Sequence, residues 1–131
     1  MENTKSKILI VDDDSFLLDM YALKFSQNSF EVYTAEDGAQ AIEKLKGGLD
    51  PKVILLDIIM PNMDGFEMLE KMNAEKLALN ATKIILSNKS EQKDADRGNI
   101  LGVSGYIVKA NSTPAEVIEQ VTGILAKKVN K

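Results

Sequence analysis

No cysteine and no histidine occur in this sequence. The first absence excludes disulfides, thiolate zinc sites and cysteine nucleophiles; the second excludes the commonest general base and the commonest metal ligand. No apolar run approaches the roughly 18 to 20 residues that span a membrane. The amino-terminal MENTKSK leads straight into KILIV, with no hydrophobic signal region and no small-residue cleavage site, so a cytoplasmic protein without membrane attachment is expected. An excess of basic residues is missing too. Sixteen Lys and Arg against 20 Asp and Glu leave a formal charge of −4, which offers no footprint for direct nucleic-acid binding. There is no internal repeat, low-complexity tract or long linker, and 131 residues, 44% hydrophobic and 27% charged, suit a single ordered domain.

What is present is organised around Val53 to Gly65, VILLDIIMPNMDG. Val53, Ile54, Leu55 and Leu56 form the continuous apolar run expected of a strand buried on both faces of a parallel sheet, and the run ends on Asp57. Pro61 then blocks a regular continuation, and Asp64 can cap a helix whose apolar positions Met68, Leu69 and Met72 follow at helical spacing. The same grammar recurs along the chain. Lys7 to Val11 reads as a strand ending in Asp12, Asp13 and Asp14; Ser15 is a candidate cap for a helix with Phe16, Leu17, Met20, Tyr21 and Leu23 on a broad apolar face through about Phe25. Phe30 to Ala35 is a weaker strand, interrupted by Glu31 and Thr34 as an edge position would explain, and Ala41, Ile42 and Leu45 mark a second helix stopped by Gly47 and Gly48. Lys83 to Leu86 reads as a strand ending on Ser87. The helix expected from Ser90 to Leu101 has only Ala95, Ile100 and Leu101 apolar and Gly98 inside, so it should be the weakest and most mobile. Gly105 to Val108 supplies a fifth strand ending on Lys109. Thr113 and Pro114 open a last helix with Val117, Ile118, Val121, Ile124 and Leu125 on one stripe, and Lys127, Lys128 and Lys131 suit the carboxyl end of its dipole.

Five strands alternating with five helices imply parallel βαβ units: an α/β, doubly wound five-stranded sheet of flavodoxin-like type, with strand order 2-1-3-4-5. Such sheets bind ligands at their carboxyl edge, where this chain delivers Asp12, Asp13, Asp14, Asp57, Ser87 and Lys109. Converging carboxylates repel, and octahedral Mg²⁺ held by oxygen ligands and waters relieves the repulsion best. A hydroxyl and an ammonium facing that cation would bind a tetrahedral oxyanion, so the chemistry implied is phosphoryl transfer onto a carboxylate. Taken singly each residue has a plainer role: Asp57 as the polar end of a strand, Tyr106 as a half-buried strand aromatic.

On this ordered set of residues the chain resembles the receiver domains of two-component response regulators, over essentially its whole length. The resemblance implies that Asp57 is the phosphorylated aspartate, that Asp12 and Asp13 are the acidic pair, and that Ser87 and Lys109 are the switch hydroxyl and the invariant lysine. Mg²⁺ would be held by Asp13, by Asp57, by the carbonyl of Ile59 and, through water, by Asp12, with Asp14 as a helix-entry cap. Lys109 would pair with Asp57 before phosphorylation and with the phosphoryl group after it, while Ser87 swings in and Tyr106 follows as the aromatic switch. The implied partners are a sensor histidine kinase or phosphotransfer protein, since a chain without histidine carries no phosphohistidine of its own, and a downstream protein that reads the face of helix 4, strand 5 and helix 5. No output domain is expected beside the receiver.

Two positions depart from the family pattern. Asn88 stands where a small residue usually follows the switch hydroxyl, and it could crowd or hydrogen-bond an inward Tyr106. Ala110 stands where a cis proline usually follows the lysine; a cis bond before a non-proline residue costs about 2.5 to 4 kcal/mol, so a trans bond and a rearranged loop are expected. Ile59 and Lys89, which by the resemblance stand at the positions that flank the path of attacking water, offer no base, which points to slow loss of the phosphoryl group. The competing readings are a Mg²⁺-dependent phosphatase of the haloacid dehalogenase type, a flavodoxin-like cofactor binder and a pseudo-receiver. The phosphatase wants a second acid where Ile59 stands, the cofactor binder wants a phosphate loop where three carboxylates follow the first strand, and the pseudo-receiver does not need the complete set.

Overall fold

The computed structural model describes residues 5–88 and 91–129. Its strands are β1 (Ser6–Val11), β2 (Phe30–Ala35), β3 (Val53–Leu56), β4 (Thr82–Ser87) and β5 (Gly105–Val108). They alternate with helices α1 (Ser15–Ser26), α2 (Gly38–Lys46), α3 (Gly65–Ala74), α4 (Gln92–Ile100) and α5 (Pro114–Val129), and a 3₁₀ turn, Lys109–Asn111, follows β5. All four pairings are parallel and the order is β2-β1-β3-β4-β5, as the alternation of apolar runs and helical stripes predicts. β2 lies at an edge, which accounts for the polar residues it tolerates.

The pleat divides the core into two layers. Leu9, Val11, Ile54, Leu56 and Ile85 face α2 and α3, whereas Ile8, Ile10, Val53, Leu55, Ile84 and Leu86 face α1 and α5. β1 and β3 are covered on both sides, so they read as unbroken apolar runs rather than as alternating ones.

Three expectations need correction. Asp14, as the resemblance implied, and not Ser15 caps α1, because its carboxylate accepts from the Leu17 N–H while Ser15 is already the first helical residue. The inner stripe of α1 is Leu18, Tyr21 and Phe25; Phe16 is 76% exposed and Leu23 also faces outward, since the helix is apolar on more than the one face the sheet can cover. α4 begins at Gln92, and it buries Asp94 and Gly98 rather than Ile100, which is 84% exposed. Ser90, Lys89 and Lys131 lie outside the described residues, as does the side chain of Lys128. The Lys109–Ala110 bond is trans, and the loop after Lys109 winds into the 3₁₀ turn.

Candidate functional site

Asp12 and Asp57 stand just beyond the ends of β1 and β3, each held there by one more rung of the sheet. The Asp12 N–H donates to the Ala35 carbonyl at 3.1 Å and the Asp57 N–H to the Val11 carbonyl at 3.0 Å. The two carboxylates therefore emerge side by side at the carboxyl edge of β1 and β3. Asp57 then turns sharply into its loop, its own Oδ1 accepting from the Ile58 N–H at 2.7 Å. Gly65 closes that loop at its root. Its N–H donates to the Ile58 carbonyl at 2.7 Å, and a Cβ there would lie 2.2 Å from the Asp57 carbonyl oxygen, so only glycine permits the approach. Asp64 and Glu67 form a reciprocal capping box that starts α3 directly after it.

Lys109 reaches across from β5. Its Nζ donates to Asp12 Oδ2 at 2.6 Å and to Asp57 Oδ2 at 2.9 Å. The sequence reading paired it with Asp57; the bond to Asp12 is additional. All three side chains are largely buried, Asp12 at 2% and Asp57 at 9% exposure. Burial lifts the Asp12 carboxyl above its ordinary 3.8, against the opposing pull of Lys109 and the Asp14 N–H. Burial also works to lower the Lys109 ammonium, but its hydrogen bonds to Asp12 and Asp57 and their charges outweigh that cost, and its pKa is raised above 10.5. Lysine held between two acids stays charged.

Asp13 is exposed, and one oxygen each of Asp12, Asp13 and Asp57 lies within 4.8 Å of the others. Three carboxylates grouped this closely, with oxygen as the only donor type, suit a hard cation. Asp12 spends Oδ1 on the Asp14 N–H at 3.0 Å and Oδ2 on Lys109. That leaves Asp13 as the most open of the three carboxylates.

Ser87, only 1% exposed, ends β4 opposite Val108, one residue before Lys109. Tyr106 is half-buried against the α2/α3 layer and joined to Ser87 by a side-chain hydrogen bond. Burial raises its phenol above 10, Asp94 adds to that, and the bond to Ser87 opposes it. Asn88 is exposed. Ile59, 61% exposed, puts an apolar side chain at the rim of the site, and its proposed counterpart Lys89 is outside the described residues. One arrangement near the site escaped the sequence reading: Asp37 and Gly38 grip the tip of the Asp57 loop. The Asp-Gly pair signals a helix start, but nothing local signals its distant partner.

A family model described as the response regulator receiver domain matches residues 8–122. Among curated proteins, the alkaline phosphatase synthesis transcriptional regulatory protein PhoP of Bacillus subtilis (strain 168) is 32% identical over 121 residues, which cover 92% of this chain and 49% of PhoP. The response regulator SaeR of Staphylococcus aureus (strain USA300) is 29% identical over 120 residues, covering 92% of this chain and 50% of SaeR. The chain thus spans about half the length of these relatives. Among solved structures, a CheY-like response regulator receiver domain protein from Methanospirillum hungatei JF-1 superposes with a TM-score of 0.85 at 25% identity, covering 96% of this chain and 98% of the other.

Proposed function

The chain belongs to the response regulator receiver domain family, whose members are signalling domains rather than turnover enzymes, and from that premise we propose that Asp57 accepts a phosphoryl group from the phosphohistidine of a sensor histidine kinase or phosphotransfer protein. The observation that carries this reading is Lys109 held between Asp12 and Asp57 at 2.6 and 2.9 Å, with Asp13 in the same cluster. An oxygen of Asp57 attacks phosphorus, the bond from phosphorus to the donor nitrogen breaks, and an acyl phosphate forms as the imidazole leaves with the electron pair. Lys109 passes from the carboxylate to a phosphoryl oxygen, an exchange of one anionic partner for another that leaves its bond to Asp12 in place. Ser87 donates its hydroxyl to a second phosphoryl oxygen, and that movement breaks its bond to Tyr106 and frees the ring to change position.

Asp13, Asp57 and the Ile59 carbonyl would hold Mg²⁺ directly and Asp12 through water, with Asp13 the most open of the three carboxylates. When bound, the ion supplies the positive charge that lets carboxylate and phosphoryl oxygens approach. The altered state is read by a partner protein at the surface of α4, β5 and α5.

The test is intact-mass measurement after incubation with acetyl phosphate and Mg²⁺. A gain of about one phosphate is expected in the wild type and none in Asp57→Asn. Persistence of the gain in that variant would sink the assignment.

A further inference from the structure

The tip of the loop that follows Asp57 is tied to a residue 25 positions earlier in the chain. Asp37, at the start of α2 and 6% exposed, has both carboxylate oxygens engaged: Oδ1 accepts from the Gln40 N–H at 2.8 Å, and Oδ2 accepts from the Asn62 side-chain amide at 2.8 Å. The next residue repeats the tie through the backbone. The Gly38 N–H donates to the Met63 carbonyl at 3.1 Å, and a Cβ at Gly38 would lie 2.8 Å from that oxygen. Asn62 itself sits at φ 65°, a left-handed conformation that most side chains avoid.

Capping α2 needs only one oxygen of Asp37. The second is spent on the loop. With Gly65 fixing the root of that loop on Ile58 and Asp37 fixing its tip, the backbone at Ile59 is held from both sides although it belongs to no helix or strand. We infer that Asp37 and Asn62 are positioning residues of the phosphoacceptor site, whose mutual bond fixes the loop carrying Asp57 and Ile59 and thereby sets the affinity of the site for a divalent cation. The inference rests on the metal-binding reading given above. Its physical basis is pre-organisation: a loop already in its binding conformation loses less entropy when its ligand atoms are engaged. Groups that orient metal ligands directly are worth about 10- to 100-fold in affinity, and Asn62 acts one step further out, through the backbone, so about 3- to 10-fold is expected.

Two variants isolate the bond. Asn62→Gly deletes the amide while keeping the left-handed backbone accessible, and Asp37→Ser keeps a capping oxygen while deleting the second acceptor. Mg²⁺ affinity is measured by calorimetry on the whole chain, and amide exchange over residues 58–64 is followed in Mg²⁺-free protein. Each variant should bind Mg²⁺ about 3- to 10-fold more weakly and exchange faster in that segment, and the double variant should be little worse than either single one because both remove the same bond. An Asn62→Gly protein with wild-type Mg²⁺ affinity overturns the inference, whatever its stability. Asp13→Asn separates this failure from that of the parent reading. If Asp13→Asn loses Mg²⁺ while Asn62→Gly keeps it, only the positioning role falls; if wild type and Asp13→Asn take up Mg²⁺ equally, or neither takes it up, the metal site falls and the positioning role with it.

Discussion

α3 and α4 pack on the same face of the sheet, and each follows a strand that ends at the site, yet different forces hold them. α3 buries Phe66, Met68, Leu69 and Met72 and starts on a capping box. α4 buries only Asp94 and Gly98, and Glu91 at its start makes no side-chain cap bond. Its ties to α3 are polar and peripheral. Arg97 donates to Glu70 at 3.0 Å and lies 4.4 Å above the Phe66 ring centroid, and the Asn73 amide donates to the Leu101 carbonyl at 3.2 Å. Fully burying a side chain such as Leu69 stabilises by about 1.5 to 3 kcal/mol, whereas an exposed ion pair contributes at most about 1 kcal/mol. The helix that fixes the Asp57 loop is therefore firmly seated, and the helix that follows Ser87 is cheap to displace. Elements of low local stability supply the moving parts of a switch, and here the weak element follows Ser87 rather than Asp57, the proposed phosphoacceptor.

The contrast is tested most severely by removing one large aliphatic side chain from each helix. Leu69→Ala should cost about 2 to 5 kcal/mol in urea unfolding, through lost burial and the cavity left behind. Ile100→Ala should stay within about 0.5 kcal/mol, because its side chain is already in water. Equal losses at the two positions would erase the distinction.

A smaller effect is expected when the polar tie itself is cut. Arg97→Ala removes the exposed ion pair to Glu70 and the cation–π contact of its half-exposed guanidinium over the buried Phe66 ring, so global stability should fall by about 0.5 to 2 kcal/mol. The sharper readout is amide exchange, which should quicken across α4 and stay unchanged across α3. Acceleration of both helices together would mean that they open as one unit.

The smallest effect concerns acid. The Asn62 amide, followed by the Gln40 N–H, holds the Asp37 carboxyl below its ordinary 3.8. A depressed acid binds its proton more readily in the unfolded chain, so its contribution to stability is complete above pH 3.8 and is lost as the pH falls through the lower folded value. Asp37→Asn, which keeps a capping oxygen, should flatten the fall in thermal midpoint below pH 3.8, leaving the neutral midpoint to report the lost acceptor for Asn62. A fall in midpoint over that range as steep as the wild type's would show that Asp37 does not titrate with folding.

Much of the fold was legible because its signals are local. The unbroken apolar runs ending in Asp12, Asp57 and Ser87 place those groups at one edge once right-handed crossovers are assumed, and the glycine and proline positions punctuate the elements. The weakness of α4 was equally visible, since a helix with so few apolar residues has little to bury. α1 was harder to read. With apolar side chains around most of its circumference, Leu18, Tyr21 and Phe25 could not be told from Phe16 and Leu23 until the sheet and α5 had covered one side.

Periodicity, turn residues and the order of chemical groups along the chain were enough for the strand order and for placing Asp12, Asp13, Asp57, Ser87 and Lys109 at one edge of the sheet. The sharing of Lys109 between two acids, the bond from Tyr106 to Ser87 and the grip of Asp37 on Asn62 were settled by folding. Each of those contacts joins residues from different elements. Whether their polar atoms meet depends on how strands and loops are brought together in space, and no local pattern of residues encodes a distance across the sheet.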